Sequence, residues 1–149
     1  MTIIESLRTW VAACPLLKDG LLNVEYLGAE GIGYTIDADQ PVNPVLRKYT
    51  SGSSIRQFPF VFASKEKYGP NTLQNIANSG FYEELADWVE SQSDAGNLPI
   101  LDEYRTPQYI EVLSGGYPFD TGDSTARYQI TMNFVYMQDY RYTQHEGGI

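Results

Sequence analysis

Four aspartates, Asp37, Asp39, Asp120 and Asp123, are the side chains best placed by type to do chemistry. Two of them converging in one pocket would make the acid–base pair of a small hydrolase. Each sits in a stretch rich in Pro, Gly or Ser, however, where Asp most often caps turns. Asp37 and Asp39 also begin like a calcium loop, but Pro41 occupies the fifth position, and the loop glycine and distal glutamate are missing. Gly28, Gly31 and Gly33 fit neither phosphate-loop spacing, and no lysine follows them. The single cysteine, Cys14, falls on an apolar helical face, where thiols are inert. The single histidine, His145, lies five residues from the end, off any element that would hold a base rigid. Glu83 and Glu84 are adjacent on a helical pattern and so diverge. The expectation is a chain with no catalytic residues, no metal site and no cofactor.

The elements around these residues are easier to read. The run TARYQITMNFVYMQ, Thr125 to Gln138, alternates with a period of two. Ala126, Tyr128, Ile130, Met132, Phe134 and Tyr136 form one apolar row. Arg127, Gln129, Thr131 and Asn133 form a polar one, until Val135 and Met137. At ~3.3 Å per residue this strand spans roughly 45 Å, long enough to be expected to overhang its sheet. Val135, Tyr136 and Met137 would then be free for contact with a neighbour.

Upstream, Thr2 and Glu5 form a capping box, and Ile3, Leu7, Trp10, Val11 and Cys14 follow at helical spacing up to Pro15. Residues 23–27 and 33–36 read as a hairpin around a glycine-bearing turn. Residues 45–50 and 55–65 read as two strands joined at Ser51-Gly52-Ser53-Ser54, with Phe58, Phe60 and Phe62 facing the core. Pro59 donates no ladder bond, which predicts an edge or a bulge there. A helix capped by Asn71 or Thr72 carries Leu73, Ile76, Ala77, Phe81, Leu85, Trp88 and Val89 inward, with Gly80 as a point for a kink or break. Its outer face bears Glu83, Glu84, Asp87 and Glu90. Residues 109–113 read as a strand, 114–124 as a protruding loop, and residues 139–149 as a mobile tail that orders on a partner.

This gives a single α+β domain over 1–149: a mainly antiparallel sheet with two helices on one face, in the order α-β-β-β-β-α-β-β. Its expected core residues are Trp10, Phe58, Phe60, Phe62, Phe81, Trp88, Ile130 and Phe134. The expected contact residues are Val135, Tyr136, Met137, Tyr140 and Tyr142, with Tyr117 and Phe119 from the loop arm. Net charge is −9, from 10 Lys and Arg against 19 Asp and Glu. Tight nucleic-acid binders need a basic face, so specific DNA or RNA binding is not expected. One cysteine precludes an intrachain disulfide and fits a reducing compartment. No apolar run reaches the ~18–20 residues that span a bilayer, and no secretory signal is evident. A cytoplasmic, soluble product is expected, without a membrane partner.

Several segments together resemble a family of small proteins from phages and prophages of Gram-positive bacteria, often described as minor capsid proteins. They are Gln57-Phe58-Pro59-Phe60-Val61-Phe62-Ala63-Ser64, Gly80-Phe81-Tyr82-Glu83-Glu84 with Trp88, Leu98-Pro99, and Ala126-Arg127-Tyr128-Gln129-Ile130 with Tyr136. Their order and spacing carry the likeness, which runs from about Arg56 onward. In tailed phages such proteins look like tail terminators, or tail-completion proteins, of the neck. The resemblance implies a virion location and a homo-oligomeric ring, expected to be a hexamer. It also implies two partners, the tail-tube protein and a head-closure or connector protein, and DNA that passes through without specific binding. Another head–tail connector or head-closure protein is the nearest alternative, and a carboxylate hydrolase is a remote one.

Overall fold

The computed structural model describes residues 2–17, 22–24, 33–39, 43–67, 72–121 and 125–142, with side chains at 2–17, 34–39, 43–64, 80–115 and 127–142. Helix α1 (Ile3–Ala12) starts at the expected capping box. The Thr2 hydroxyl accepts from the Glu5 amide at 3.2 Å, and the Glu5 carboxylate accepts from the Thr2 amide at 3.3 Å. Four strands follow: β1 (Leu22–Val24), β2 (Gly33–Ala38), β3 (Val45–Lys48) and β4 (Ser54–Lys67). Helix α2 (Thr72–Asp94) then leads to β5 (Arg105–Thr121) and β6 (Thr125–Gln138). The order of elements is the expected one, and the fold is α+β.

The strands form one sheet in the order β1-β2-β4-β6-β5, with β3 pairing β4 beside the end of β2. Every pairing is antiparallel except β1 with β2. That exception corrects the first hairpin. Leu22, Asn23 and Val24 run parallel to Tyr34, Thr35 and Ile36, a geometry that a tight turn cannot make. Gly28 and Gly31 lie outside the described residues.

The two-residue alternation of β6 settles which face is covered. Tyr128, Ile130, Met132, Phe134 and Tyr136 share a face with Phe60 and Phe62 of β4 and with Tyr34 and Ile36 of β2. Against it pack Ile3, Leu7 and Val11 of α1 and Tyr82, Leu85 and Val89 of α2. Both helices therefore lie on one side of the sheet. Among the expected core residues, Phe60, Phe62, Ile130 and Phe134 are fully buried. Trp10, Phe58, Phe81 and Trp88 are half-buried around them, and the Trp10 and Trp88 rings meet at 4.9 Å. Leu73, Ile76 and Ala77 lie outside the described side chains. Cys14 is buried, and burial pushes its thiol up from the ordinary value, so it is an inert packing residue.

Three further expectations meet a different outcome, each for a local reason. The strand β6 has no overhang: β4 pairs it from Thr125 to Gln138, and β5 covers its other side. The segment expected as a loop arm is strand. β5 continues to Thr121 by absorbing four register shifts, and it tolerates Pro107 and Pro118 because only one of its sides is paired. Gly80 neither breaks nor ends α2, which is continuous from Thr72 to Asp94.

A Cβ at Gly80 would meet nothing within 4 Å. Gly80→Ala is therefore expected to raise stability by about 1 kcal/mol, because glycine is the poorer helix residue. A shift of the urea midpoint at unchanged slope would report it.

Pro59 behaves as expected of an edge, although β4 is central. The β2 ladder ends at Phe60 and the β3 ladder begins at Arg56, which leaves a gap between the two ladders where the Gln57 amide donates to the Pro44 carbonyl at 2.9 Å. The Pro59 carbonyl accepts from the Asp39 amide at 2.9 Å across this gap. The proline nitrogen lies on the same side, so no bond to β6 is lost.

Candidate interaction surface

The polar row of β6 lies on the face without helices, and two of its groups are tied to side chains of β2 and β4. Arg127 pairs with Asp37 at 2.9 Å, and the Thr35 hydroxyl also donates to Asp37. Asn133 donates to the Gln57 side chain at 3.1 Å, while its own Oδ1 is buried with no hydrogen-bond partner among the described residues. Asp37 is thus held in an ion pair. Asp120 belongs to β5, which is three strand spacings, ~14 Å, from β2. Asp39 is exposed just past the end of β2. The side chain of Asp120, and Asp123 and His145 altogether, lie outside the described residues. Among the described residues no group of His, Cys, Asp and Glu side chains is spaced to hold a metal ion.

The expected contact residues divide. Val135 and Tyr136 are 1% and 8% exposed, so they are core residues of the single chain rather than a contact surface. Their burial follows from the missing overhang: β4 and β5 flank both, at Gln57 and Tyr109 for Val135 and at Arg56 and Pro107 for Tyr136. Met137 is half-buried, and Tyr140 is exposed. The side chains of Tyr117 and Phe119 lie outside the described ones.

The start of the expected tail is anchored. The Asp139 amide donates to the Tyr104 carbonyl at 2.7 Å, and the Tyr140 amide to the Ser53 hydroxyl at 3.2 Å. Tyr140 also packs against Gly52, which turns the β3–β4 connection with φ of 96°. The Arg105 guanidinium lies 4.5 Å from the centre of the Tyr142 ring. Residues 143–149 lie outside the described ones.

The surface features that remain are at the sheet's two ends. On one side stands β5, paired among the described residues only by β6. Its Ile110 amide points away from β6 and is capped by the Ser93 hydroxyl of α2 at 3.1 Å. There the strand edge and the last turns of α2 enclose a groove of about 480 Å³, lined by Glu90, Ser93, Asp94 and residues 109–112. Glu90, Asp94 and Glu111 are exposed, and none has an ion-pair partner among the described residues. Tyr109 and Leu113 beside them are 41% and 55% exposed. On the other side, next to β2, stands β3, where Leu46, Arg47 and Lys48, and Tyr49 just past its end, are all exposed.

A second groove, of about 510 Å³, runs between α1 and residues 99–100, lined by Trp10, Ala13, Pro99 and the exposed Ile100. The Trp10 indole donates to the Asn97 carbonyl at 2.8 Å and fixes this wall.

Sequence reasoning missed the β5 edge because bulges interrupt its alternation after residue 113. It could have been found from Pro107 and Pro118, which are compatible with a strand only where one side is unpaired. Among the described residues no helix is long and apolar enough to cross a membrane. Compared with known proteins, the chain matches no family model and no curated sequence.

Proposed function

We propose that this chain is a structural assembly protein of a phage neck: a ring-forming tail terminator that caps the tail tube and docks it to the head. One observation carries the reading. Among the described residues three strands are paired on one side only: 17-residue β5 at one end of the sheet, three-residue β1 at the other, and four-residue β3 beside the end of β2. Open edges recruit strands from other chains, and what blunts these is local: bulges, Pro107, Pro118 and the Ser93 cap on β5, and Arg47 and Lys48 on β3, a charge that favours an acidic partner edge over a copy of itself. Different edges on one chain favour head-to-tail joining, which gives a ring where the rotation between copies closes and an open filament where it does not.

The sequence resemblance supports the same reading from another direction. Its segments map onto the centre of the sheet and the inner face of α2: Phe60 and Phe62, Tyr82, Tyr128 and Ile130. They argue for a shared scaffold, and the open edges argue for what the scaffold does. A net charge of −9 lets DNA pass through a ring without adhering. The partners are other copies of the chain, the tail-tube protein, and a head-closure or connector protein.

Light scattering and negative-stain microscopy, with and without the tail-tube subunit, test the proposal. Rings seated on tube ends, with tube length limited, are the expected result. A chain that stays monomeric beside the tube subunit and leaves tube growth unchecked overturns it. Capture of a portal-side protein in preference to the tube would reassign it to head closure.

A further inference from the structure

We propose that β3 of one copy adds to the β5 edge of the next, so that the sheet continues from subunit to subunit with matched charges on both of its faces. The proposal rests on the reading of this chain as self-assembling, and names the surface that does the assembling.

The two edges are opposite in charge, and the stretch of β5 that borders the groove matches β3 in length. The groove beside β5 spans residues 109–112 and carries Glu90, Asp94 and Glu111. β3 spans four residues and carries Arg47 and Lys48, neither ion-paired among the described residues. In a chain with 10 basic residues, two adjacent ones on an open strand are a distinctive feature. Large exposed side chains flank both edges: Leu46 and Tyr49 on β3, Tyr109 and Leu113 on β5. Joining the edges would cover all four.

Register places each charge on the correct face. Lys48 is opposite Ser54, and through Gln138 it shares the helix-covered face. Arg47 is opposite Ile55 and Met137, on the helix-free face. Glu90 and Asp94 belong to α2, on the helix side, whereas Glu111 is opposite Asn133, on the helix-free side. Copies related by a ring rotation keep their helices on the same side of a continuous sheet. Lys48 then meets Glu90 and Asp94, and Arg47 meets Glu111.

Strand direction agrees as well. β5 runs parallel to β4 through two antiparallel steps, and β3 runs antiparallel to β4. Side-by-side copies therefore bring β3 antiparallel to β5. The Ile110 amide on this side is already bonded to the Ser93 hydroxyl, and by the two-residue repeat of a ladder Val112 presents the groups left there for an incoming strand.

The alternatives are electrostatically worse. Pairing β5 with β5 sets acidic side chains against acidic ones, and pairing β3 with β3 sets Arg47 and Lys48 against their copies. Within one subunit Arg47 lies level with Thr106, through Ile55 and Met137. Seating β3 on residues 109–112 therefore requires a stagger of about one β-strand's length between copies, as strands tilted to a ring axis provide.

Sedimentation velocity on a charge-swap set tests this. One variant reverses the β5 edge (Asp94→Lys, Glu111→Lys), and a second reverses the β3 edge (Arg47→Glu, Lys48→Glu). All four positions are exposed, so circular dichroism should match the wild type. Each variant alone is expected to self-associate roughly 100-fold more weakly than wild type. An equimolar mixture of the two should regain association, because each then offers an edge complementary to the other. A chain carrying all four changes should regain it alone. Wild-type-like association of either variant, or no recovery in the mixture, overturns the edge pairing while leaving assembly by another surface intact. A wild type that is monomeric up to ~1 mM also overturns it; the terminator reading is then judged separately by rings on tail tubes.

Discussion

Phe60→Ala is expected to lower stability by about 3–5 kcal/mol, the cost of an emptied aromatic site in a core. For a chain of this length that corresponds to a melting temperature about 8–16 °C lower. Phe60 is fully buried on β4 and lies opposite Met132 of β6 and Ala38 of β2. Both neighbouring backbones are fixed in ladders at that level, so the strands cannot close over the void, and the variant bears the cavity as well as the lost transfer energy. Trp88→Ala should cost less despite its larger ring. Trp88 is half-buried, and its contact with Trp10 lies at the rim of the helix layer, where solvent can fill the space. Urea unfolding of the two variants at one pH decides the ranking. Equal losses would mean that the rim aromatics are as much a part of the core as β4.

The alternation of residues 128–136 fixed both the extent of β6 and the face that the helices cover. Phe60 and Phe62 did the same for β4. These signals are strong because a one-residue slip would invert every side chain. Tyr82 was less legible. It sits beside Phe81 in the helical pattern, but its ring is fully buried, and its hydroxyl is 2.6 Å from the Ser64 hydroxyl and donates to the Tyr128 carbonyl. A tyrosine with a polar tip reads as a surface residue unless its partners on distant strands are known. The far half of β5 was hidden by Gly115, Gly116 and Pro118, which mimic loop chemistry in a strand bent by bulges. The position of β6 between two partners was hidden for a different reason. Strand order is a long-range property, and an amphipathic strand looks the same at an edge or in the middle of a sheet. The contact surface was misplaced onto Val135 and Tyr136 for this reason: their stickiness is real, but β4 and β5 of the same chain use it.

Removing the carboxylate beneath the anchored C-terminal segment is the second large effect. Arg105 is buried, and the Oδ2 of Asp102 accepts from both its Nε at 2.9 Å and its Nη2 at 2.6 Å, while the Tyr142 ring lies over the guanidinium. Burial pushes the Asp102 carboxyl up, but the Arg105 hydrogen bond and charge, with the Tyr104 amide, outweigh it and hold the group below its ordinary value. Asp102→Ala leaves a buried guanidinium without that partner. Loss of one member of a fully buried pair costs about 3–5 kcal/mol. The Asp102 side chain is 31% exposed, so water relieves part of this, and about 2 kcal/mol is expected. Adding Arg105→Met should return much of the loss, because an apolar side chain needs no counter-charge in that position. The pH dependence has a definite sign. A carboxyl depressed in the folded state stabilises fully above its unfolded pKa, about 3.9, and that stabilisation fades as pH falls through the folded value. The gap between wild type and Asp102→Ala should therefore be constant near neutrality and shrink in acid. Asp139, also depressed, by its bonds from Arg141, titrates in the same window but is common to both proteins and cancels in the difference. A gap that persists unchanged after the Asp102 carboxyl has protonated, followed by NMR of its carboxyl carbon, would mean that Asp102 acts through packing, and that Arg105 is held by its other neighbours rather than by this charge.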